Sequence, residues 1–154
     1  MLLAALVASI VLELGTAIFE IAQKQVTLSS IGRNSQFAFY AADTAAECAL
    51  YWDFRFGYFA TTTPSGVNPT CDRQPLNVTG RSSTYPYTIT SQQIDLFGDA
   101  SPPSDYCAQV SVSKSLDPTT QAIQTTIHAD GYSTSCATIG TSPDTLQRSV
   151  ELHY

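Results

Sequence analysis

The chain has 154 residues, enough for one compact domain with an appendage and too few for two ordinary domains. It is acidic, with a formal net charge of -6 and only seven lysines and arginines, which are spread along the chain. Because no basic stripe can form that would neutralise several phosphates, the composition argues against a nucleic-acid partner and favours an acidic, solubilising surface.

The first segment, residues 1–19, is apolar and contains a single charge, Glu13. As a helix it would cover roughly 28 Å, close to the hydrocarbon thickness of a bilayer. A cleaved signal peptide fits less well, because the run is long and has neither a basic start nor a small-residue cleavage site. A buried core helix is the other alternative, but a chain of this size would have difficulty covering it on all sides. We therefore expect residues 1–23 to form a transmembrane helix.

Helix-compatible sequence continues beyond this run, since the first proline is Pro64. Apolar residues recur at spacings of three, four and seven, which predicts that residues 24–54 continue the helix with one face on a partner or on the chain's own domain. The set is Ile18, Ile21, Val26, Leu28, Ile31, Phe37, Tyr40, Ala41, Cys48 and Tyr51. We expect the helix to end near residues 53–55, before the TTTPSG segment.

Small and polar residues fall on one face of the apolar helix. They are Ala5, Ser9, Glu13, Thr16 and Glu20, at spacings of four, four, three and four. In lipid such a stripe lets helices approach each other closely, so we interpret it as an assembly surface. Glu13 is the costly member, because an acid at the bilayer centre needs a protein partner or a proton. The alternative is a monomeric membrane anchor in which the Glu13 carboxyl is protonated, or in which its side chain extends to the membrane–water interface.

We expect residues 55–154 to form an extracytoplasmic β domain. In its first part, over residues 61–84, prolines and glycines predict a long irregular connection. Four later segments alternate apolar and polar residues, the pattern of strands with one wet face. They cover residues 85–90, 106–113, 123–130 and 149–154. The SLDPTT turn after the second segment suits a hairpin. The predicted fold class is α+β, a long N-terminal helix packed on a small antiparallel sheet of about four strands.

The four cysteines are Cys48, Cys71, Cys107 and Cys136, and no two of them form a C-x-x-C pair. Their spacing suits neither a zinc site nor a redox motif. An even number in a small domain behind a membrane segment predicts disulfides formed in an oxidising compartment. Of the three connectivities that four cysteines allow, we favour Cys48–Cys71 with Cys107–Cys136. Free buried cysteines are the alternative.

Both histidines, His128 and His153, fall on the predicted wet face of the sheet, near Asp130 and Glu151. A surface metal site is conceivable there, but the spacing matches no metal-binding motif. Ordinary exposed strand residues are therefore the favoured interpretation.

An irregular acidic segment, DLFGDASPPSD, contains Asp95, Asp99 and Asp105, which offer oxygen ligands for calcium. Their spacing matches no defined calcium loop, so a solvated loop is the favoured interpretation. Because the chain also lacks the common catalytic motifs, we predict no catalytic residue, no metal and no cofactor, and we do not expect an enzyme.

The layout of the chain resembles that of type IV pilins and secretion-system pseudopilins: an apolar helix, an amphipathic extension and a four-stranded antiparallel sheet with disulfides. The stretch LSSIGRNSQFAFYAADTAAECALYWD, residues 28–53, is similar to the second half of the helix in bacterial pilin-like proteins. The segments CAQVSVSK and RSVELHY are similar to their C-terminal hairpin and final strand.

The resemblance implies a structural subunit of a type IV pilus or a related secretion filament. Such proteins sit in the membrane by their helix with the C-terminal domain outside the cytoplasm, and a prepilin peptidase removes a basic leader. Their helices then pack into the core of a cell-surface filament whose surface the sheet domains form. The implied partners are other pilin-like subunits, the inner-membrane assembly machinery and membrane lipid.

Two departures from the family pattern bear on the type of subunit. No leader with a Gly-Phe junction precedes the apolar run, so we expect Met1 to be an internal start, a trimmed end or a wrongly chosen start codon. The family's glutamate at the fifth mature position is also missing, and the nearest acid is Glu13. Either Glu13 takes a displaced version of that role, or the chain is a minor, tip or priming subunit, which we favour. A monomeric, membrane-tethered binding domain is the alternative from another functional class.

Overall fold

The structure is a computed structural model that describes residues 2–96 and 106–154, with side chains from residue 6 onward. Helix α1 spans Leu2–Phe56, and all the strands follow it in the chain. The chain divides into two compact units, Met1–Asn34 and Ser35–Tyr154, which are described separately.

The first unit is the N-terminal part of α1. Alanine, leucine and other good helix formers dominate it, and no proline interrupts it. Every side chain from residue 6 to residue 33 is exposed. By length and composition, the helix over Leu6–Phe56 is capable of crossing a membrane, and none of its most apolar 18-residue window is buried. A membrane anchor and a signal sequence both meet this criterion.

In the second unit, α1 ends at Phe56, one residue beyond the predicted range. Gly57 follows with a positive φ of 61°, which a glycine adopts without steric strain. Its N–H donates to the carbonyl of Asp53 at 2.8 Å, so that the end of the helix has the hydrogen bond of a left-handed cap.

The strands of the described residues form two antiparallel sheets. They are β1 (Thr70–Cys71), β2 (Gln74–Pro75), β3 (Val78–Thr79), β4 (Tyr87–Ser91), β5 (Ile94–Leu96), β6 (Tyr106–Leu116), β7 (Ile123–Tyr132) and β8 (Gln147–His153). The first two pair with each other, and the other six form a sheet in the order β3-β4-β6-β7-β8, with β5 paired to the start of β6.

The α+β class is confirmed, whereas the expected strand count was too low. Strands β4, β6, β7 and β8 correspond to the four alternating segments, and β6 and β7 form the predicted hairpin. Strands β1, β2 and β3 lie in residues 61–84, where only an irregular connection was predicted. Each of these three strands has two residues, which is too short for an alternating pattern to be visible.

Alanines form the face of α1 that packs on the sheet. This alanine ridge consists of Ala38, Ala41, Ala42, Ala45, Ala46 and Ala49, each at most 2% exposed. Their spacings of three and four place them on one side of a helix. Strand residues such as Ile89, Val110 and Ile127 belong to the same core. Of the apolar residues expected on one face of the helix, Ala41 is buried, whereas Tyr40 and Tyr51 are 61% and 55% exposed and are not covered by the chain's own domain.

Gly131 of β7 allows the close approach of helix and sheet. A Cβ atom at this position would lie 2.1 Å from the carbonyl oxygen of Ala38 and 2.3 Å from the nitrogen of Ala42. Both are backbone atoms of α1, which cannot move aside as a flexible side chain can. The small side chains of the alanine ridge and the missing side chain of Gly131 together bring the two backbones into contact.

Two disulfides join elements that are distant in the chain. Cys48 in α1 is bonded to Cys71 in β1, and Cys107 in β6 is bonded to Cys136, which begins the short 3-10 helix Cys136–Thr138. This is the connectivity favoured from the sequence. No free cysteine is present among the described residues.

Candidate functional site

The predicted assembly stripe lies on the exposed part of α1, in the first unit. Ser9, Glu13, Thr16 and Glu20 are all exposed, and the side chain of Ala5 is outside the described residues. The Ser9 hydroxyl donates to the carbonyl of Leu6, and the Thr16 hydroxyl donates to the carbonyl of Glu13, each at 2.9 Å. Both hydroxyls donate to backbone carbonyls of the same helix and are therefore not available as donors to another molecule. The polar groups of the stripe that remain available are the carboxylates of Glu13 and Glu20.

The side-chain carboxylate of Glu13 has no hydrogen-bond or ion-pair partner among the described residues. The residues on either side of it, Leu12 and Leu14, are 72% and 59% exposed. An acid surrounded by exposed leucines is unfavourable in hydrocarbon unless it is protonated or paired. The helix therefore carries an exposed carboxylate that no described residue of the chain neutralises.

The surface of the same helix has a shallow depression where small residues lie between large ones. Ala8 and Gly15 line a shallow depression whose rim includes Val11 and Phe19. A Cβ on Gly15 would meet no atom within 4 Å, so the chain itself does not require a glycine there. Small residues at such positions allow another helix to approach closely in lipid.

In the second unit, Asp53 is a buried acid near the end of α1. Its Oδ2 accepts from the Lys114 ammonium and from the Tyr154 hydroxyl, each at 2.5 Å, and its Oδ1 accepts from the N–H of Phe59 at 3.3 Å. The Asp53 and Lys114 side chains are only 3% and 11% exposed, so their charges must be paired. Burial and then the bond to Asp53 raise the pKa of the Tyr154 hydroxyl. Nothing in the sequence singled out Asp53.

The outer face of strands β7 and β8 brings both histidines together with two carboxylates, as the alternation predicted. His128 contacts Glu151 through Nδ1 at 3.2 Å and Asp130 through Nε2 at 3.3 Å. His153 contacts the other oxygen of Glu151 through Nε2 at 2.8 Å. We call these four residues the His–acid cluster.

The acidic segment gives no support for a calcium site. Asp99 and Asp105 lie outside the described residues. Asp95 comes together with Cys107 and Cys136, but these two sulfurs are bonded to each other and are not free to bind a metal. The Asp95 carboxylate instead accepts from the N–H of Cys136 at 3.0 Å.

An apolar groove runs between the end of α1 and strand β8, within the second unit. Leu50 and Phe54 line it from the helix, and Leu152 and Tyr154 line it from the end of the chain. Phe54 is 84% exposed, so the groove ends on an uncovered aromatic ring.

A comparison with protein-family models, with curated proteins and with solved structures finds no match to this chain. The functional assignment therefore depends on the residues and their geometry.

Proposed function

We propose that this chain is a structural subunit of a type IV pilus or a related secretion filament, assembled through its N-terminal helix. The observation that carries the proposal is the exposed first unit, in which all described side chains up to residue 33 lack cover from the chain itself. The packed second unit supplies a disulfide-bonded sheet domain for a filament surface.

The exposed helix needs an apolar environment before and after assembly. Its exposed large apolar residues include Leu6, Val7, Ile10, Val11, Leu12, Leu14, Ile18, Phe19, Ile21, Val26, Leu28 and Ile31. Soluble monomers rarely expose an apolar surface of this extent. In the proposed pathway, membrane lipid covers these residues first, and the helices of other pilin-like subunits cover them after the inner-membrane assembly machinery extracts the chain.

Glu13 gives the assembly step a specific driving force. An unpaired charged acid at the centre of a membrane helix costs about 2.5–3.5 kcal/mol on insertion scales. A cationic or hydrogen-bonding partner in a neighbouring subunit would remove part of that cost, which favours the filament over the free membrane protein.

The direct test is to express the epitope-labelled chain in the organism it comes from, shear the cells and examine the released filaments. We expect the chain in the sheared fraction and cross-linked to other pilin-like subunits. Glu13→Leu should lower its amount there by at least about tenfold while its amount in the membrane is unchanged, because the substitution removes the acid and favours insertion.

Glu47→Leu is the matched control, since it makes the same acid-to-leucine change at an exposed position of α1 outside the first unit. It should leave assembly near the wild-type level. A chain that stays monomeric in membranes, with no sheared fraction and no effect of Glu13→Leu, would contradict the proposal. That result would favour a membrane-tethered binding domain, for which the groove beside Phe54 offers an apolar surface.

A further inference from the structure

One of the three asparagines of the chain lies in an acceptor sequence for N-linked glycosylation. Residues 77–79, Asn-Val-Thr, match the pattern Asn-x-Ser/Thr in which x is not proline. Residues 68–70, Asn-Pro-Thr, have the hydroxyl but also the excluded proline, and Asn34 has a glutamine two positions later. The pattern is short, so the surroundings of Asn77 in the fold decide whether it is a usable acceptor.

Asn77 lies at the edge of the larger sheet, where an enzyme is able to reach it. It directly precedes β3, which is the first strand in the sheet order and pairs only with β4 among the described strands. Asn77 and Thr79 are both exposed. The Thr79 hydroxyl makes one long contact, 3.4 Å to the carbonyl of Thr90. The asparagine and the hydroxyl of the acceptor sequence are thus both at the surface, where glycosylation takes place.

The backbone of Asn77 is held in place, whereas its side-chain amide is able to accept a sugar. Its backbone N–H donates to the carbonyl of Pro75 at 3.1 Å, and its carbonyl accepts from the N–H of Gln92 at 2.8 Å. Its Nδ2 donates to Oε1 of Gln92 at 3.3 Å in an exposed contact. An amide nitrogen carries two hydrogens, and this bond uses one of them. A sugar in place of the other hydrogen leaves the bond to Gln92 intact.

The disulfides of the same unit indicate a compartment in which such a sequence is used. Cys71, shortly before Asn77 in the chain, is bonded to Cys48, and Cys107 is bonded to Cys136. Disulfides persist in oxidising, extracytoplasmic compartments, and N-linked acceptor sequences are used in secreted proteins. A glycan on Asn77 thus depends on the export of the sheet domain that the proposed function requires, but it does not depend on filament assembly.

We propose that Asn77 is an N-glycosylation site whose co-substrate is an oligosaccharide carried on a lipid diphosphate. Nδ2 of Asn77 forms a bond to the anomeric carbon of the first sugar, and the bond from that carbon to the diphosphate oxygen breaks. The amide loses one proton, and the lipid diphosphate leaves with the electron pair of the broken bond. A bulky glycan next to β3 would also hinder the pairing of this sheet edge with another chain.

Mass spectrometry of the full-length chain, purified from the organism it comes from, tests the proposal. After reduction, trypsin separates the two candidate sequences, because it cleaves after Arg73 and Arg81 and leaves residues 74–81 as one peptide. We expect this peptide to carry a glycan, and its fragmentation should place the sugar on Asn77. The peptide that contains Asn68 should have its unmodified mass, which makes it an internal control with the same exposure.

Substitutions at the two ends of the acceptor sequence give a second measurement. Asn77→Gln and Thr79→Ala should each lower the glycosylated fraction by at least about tenfold, whereas Thr79→Ser, which keeps the hydroxyl, should remain glycosylated. Asn68→Gln is the matched control and should change nothing.

The outcomes separate this proposal from the proposed function. An unmodified Asn77 in the wild-type chain, or a sugar on Thr79 instead, would overturn the glycosylation site whether or not the chain enters filaments. A glycan on Asn77 of a chain that stays monomeric in membranes would support the site and contradict only the filament.

Discussion

Asp53 links three separate parts of the second unit, and its removal should destabilise that unit strongly. Asp53→Ala would leave the nearly buried Lys114 ammonium without its partner and the Tyr154 hydroxyl without its acceptor. Breaking a buried ion pair in this way costs about 3–5 kcal/mol. Thermal and denaturant unfolding, followed by near-ultraviolet circular dichroism, would measure the loss.

Glu47→Ala provides the control for Asp53→Ala, since Glu47 is an exposed acid on the same helix. Its effect should stay within about 0.5 kcal/mol. Adding Lys114→Met to Asp53→Ala should recover part of the stability, because the uncompensated charge is then absent. A loss below about 1 kcal/mol for Asp53→Ala alone would show that the buried pair does not stabilise the fold.

Two tyrosines should make the folded chain sensitive to alkali. Burial, followed by the neighbouring Tyr85, raises the pKa of Tyr87 from 10.0 to about 12, and its hydroxyl donates to the carbonyl of Phe59 at 2.8 Å. Burial also raises the pKa of Tyr154. Since both folded-state pKa values lie above the unfolded value, the stabilising contribution of each tyrosine is complete below pH 10 and is lost as the pH rises through its folded-state pKa, which for Tyr87 is about 12.

Ultraviolet absorbance of the phenolates should show this delay directly. The folded chain should ionise part of its tyrosine later than the urea-unfolded chain does, and unfolding should begin within the same pH range. Tyr87→Phe and Tyr154→Phe should each remove part of the delayed signal. Superimposable titration curves for the folded and unfolded chains would contradict the assigned shifts.

At the scale of elements, the contact between α1 and β7 depends on Gly131. Gly131→Ala would place a methyl group against the backbone atoms of Ala38 and Ala42, so helix and sheet must separate or shift. Overpacking of this kind costs about 1–3 kcal/mol, and the rigid backbone on the other side favours the upper end of the range. Denaturant unfolding would measure the change.

Gly140→Ala is the corresponding control, since a Cβ there would meet nothing within 4 Å and its φ is not positive. It should be neutral or stabilise by about 0.4–1 kcal/mol through the unfolded chain. Equal stabilities of the two variants would show that the close approach at Gly131 is not a constraint.

The sequence predicts an element correctly where an alternating or helical pattern extends over several residues. It does not predict which residues are buried where contact with another element determines burial. The alternation of β4, β6, β7 and β8 was visible, and the wet face that it assigned to His128 and His153 is confirmed. The apolar residues expected on one face of α1 coincide only in part with the face that packs on the sheet, because that face consists mainly of alanines. The spacing of the alanine ridge in the sequence was a usable signal for the buried face of the helix. No sequence pattern indicated that Asp53 is buried and paired, since its partners Lys114 and Tyr154 lie far away in the chain.

At the scale of the whole molecule, the second unit should fold without the first. Residues 35–154 contain both disulfides, both sheets and the alanine ridge. A soluble fragment of these residues, expressed in an oxidising compartment, should give cooperative unfolding at nearly the midpoint of the full chain. A thiol assay should find no free cysteine in it. Aggregation, or free thiols in the purified fragment, would show that the first 34 residues are needed for folding.

The alanine ridge has a consequence for how the chain tolerates change. On the inner side of α1, a side chain larger than alanine should displace the sheet, because the alanines of the ridge are at most 2% exposed and protein interiors are close-packed. On the outer side, Phe39, Tyr40 and Phe54 are exposed and form no part of the core, so their replacement leaves the fold intact. Intolerant and permissive positions should thus alternate with the helical period in a complete substitution scan. A lineage carrying this helix is free to exchange its outer face for new neighbours while it inherits the same domain.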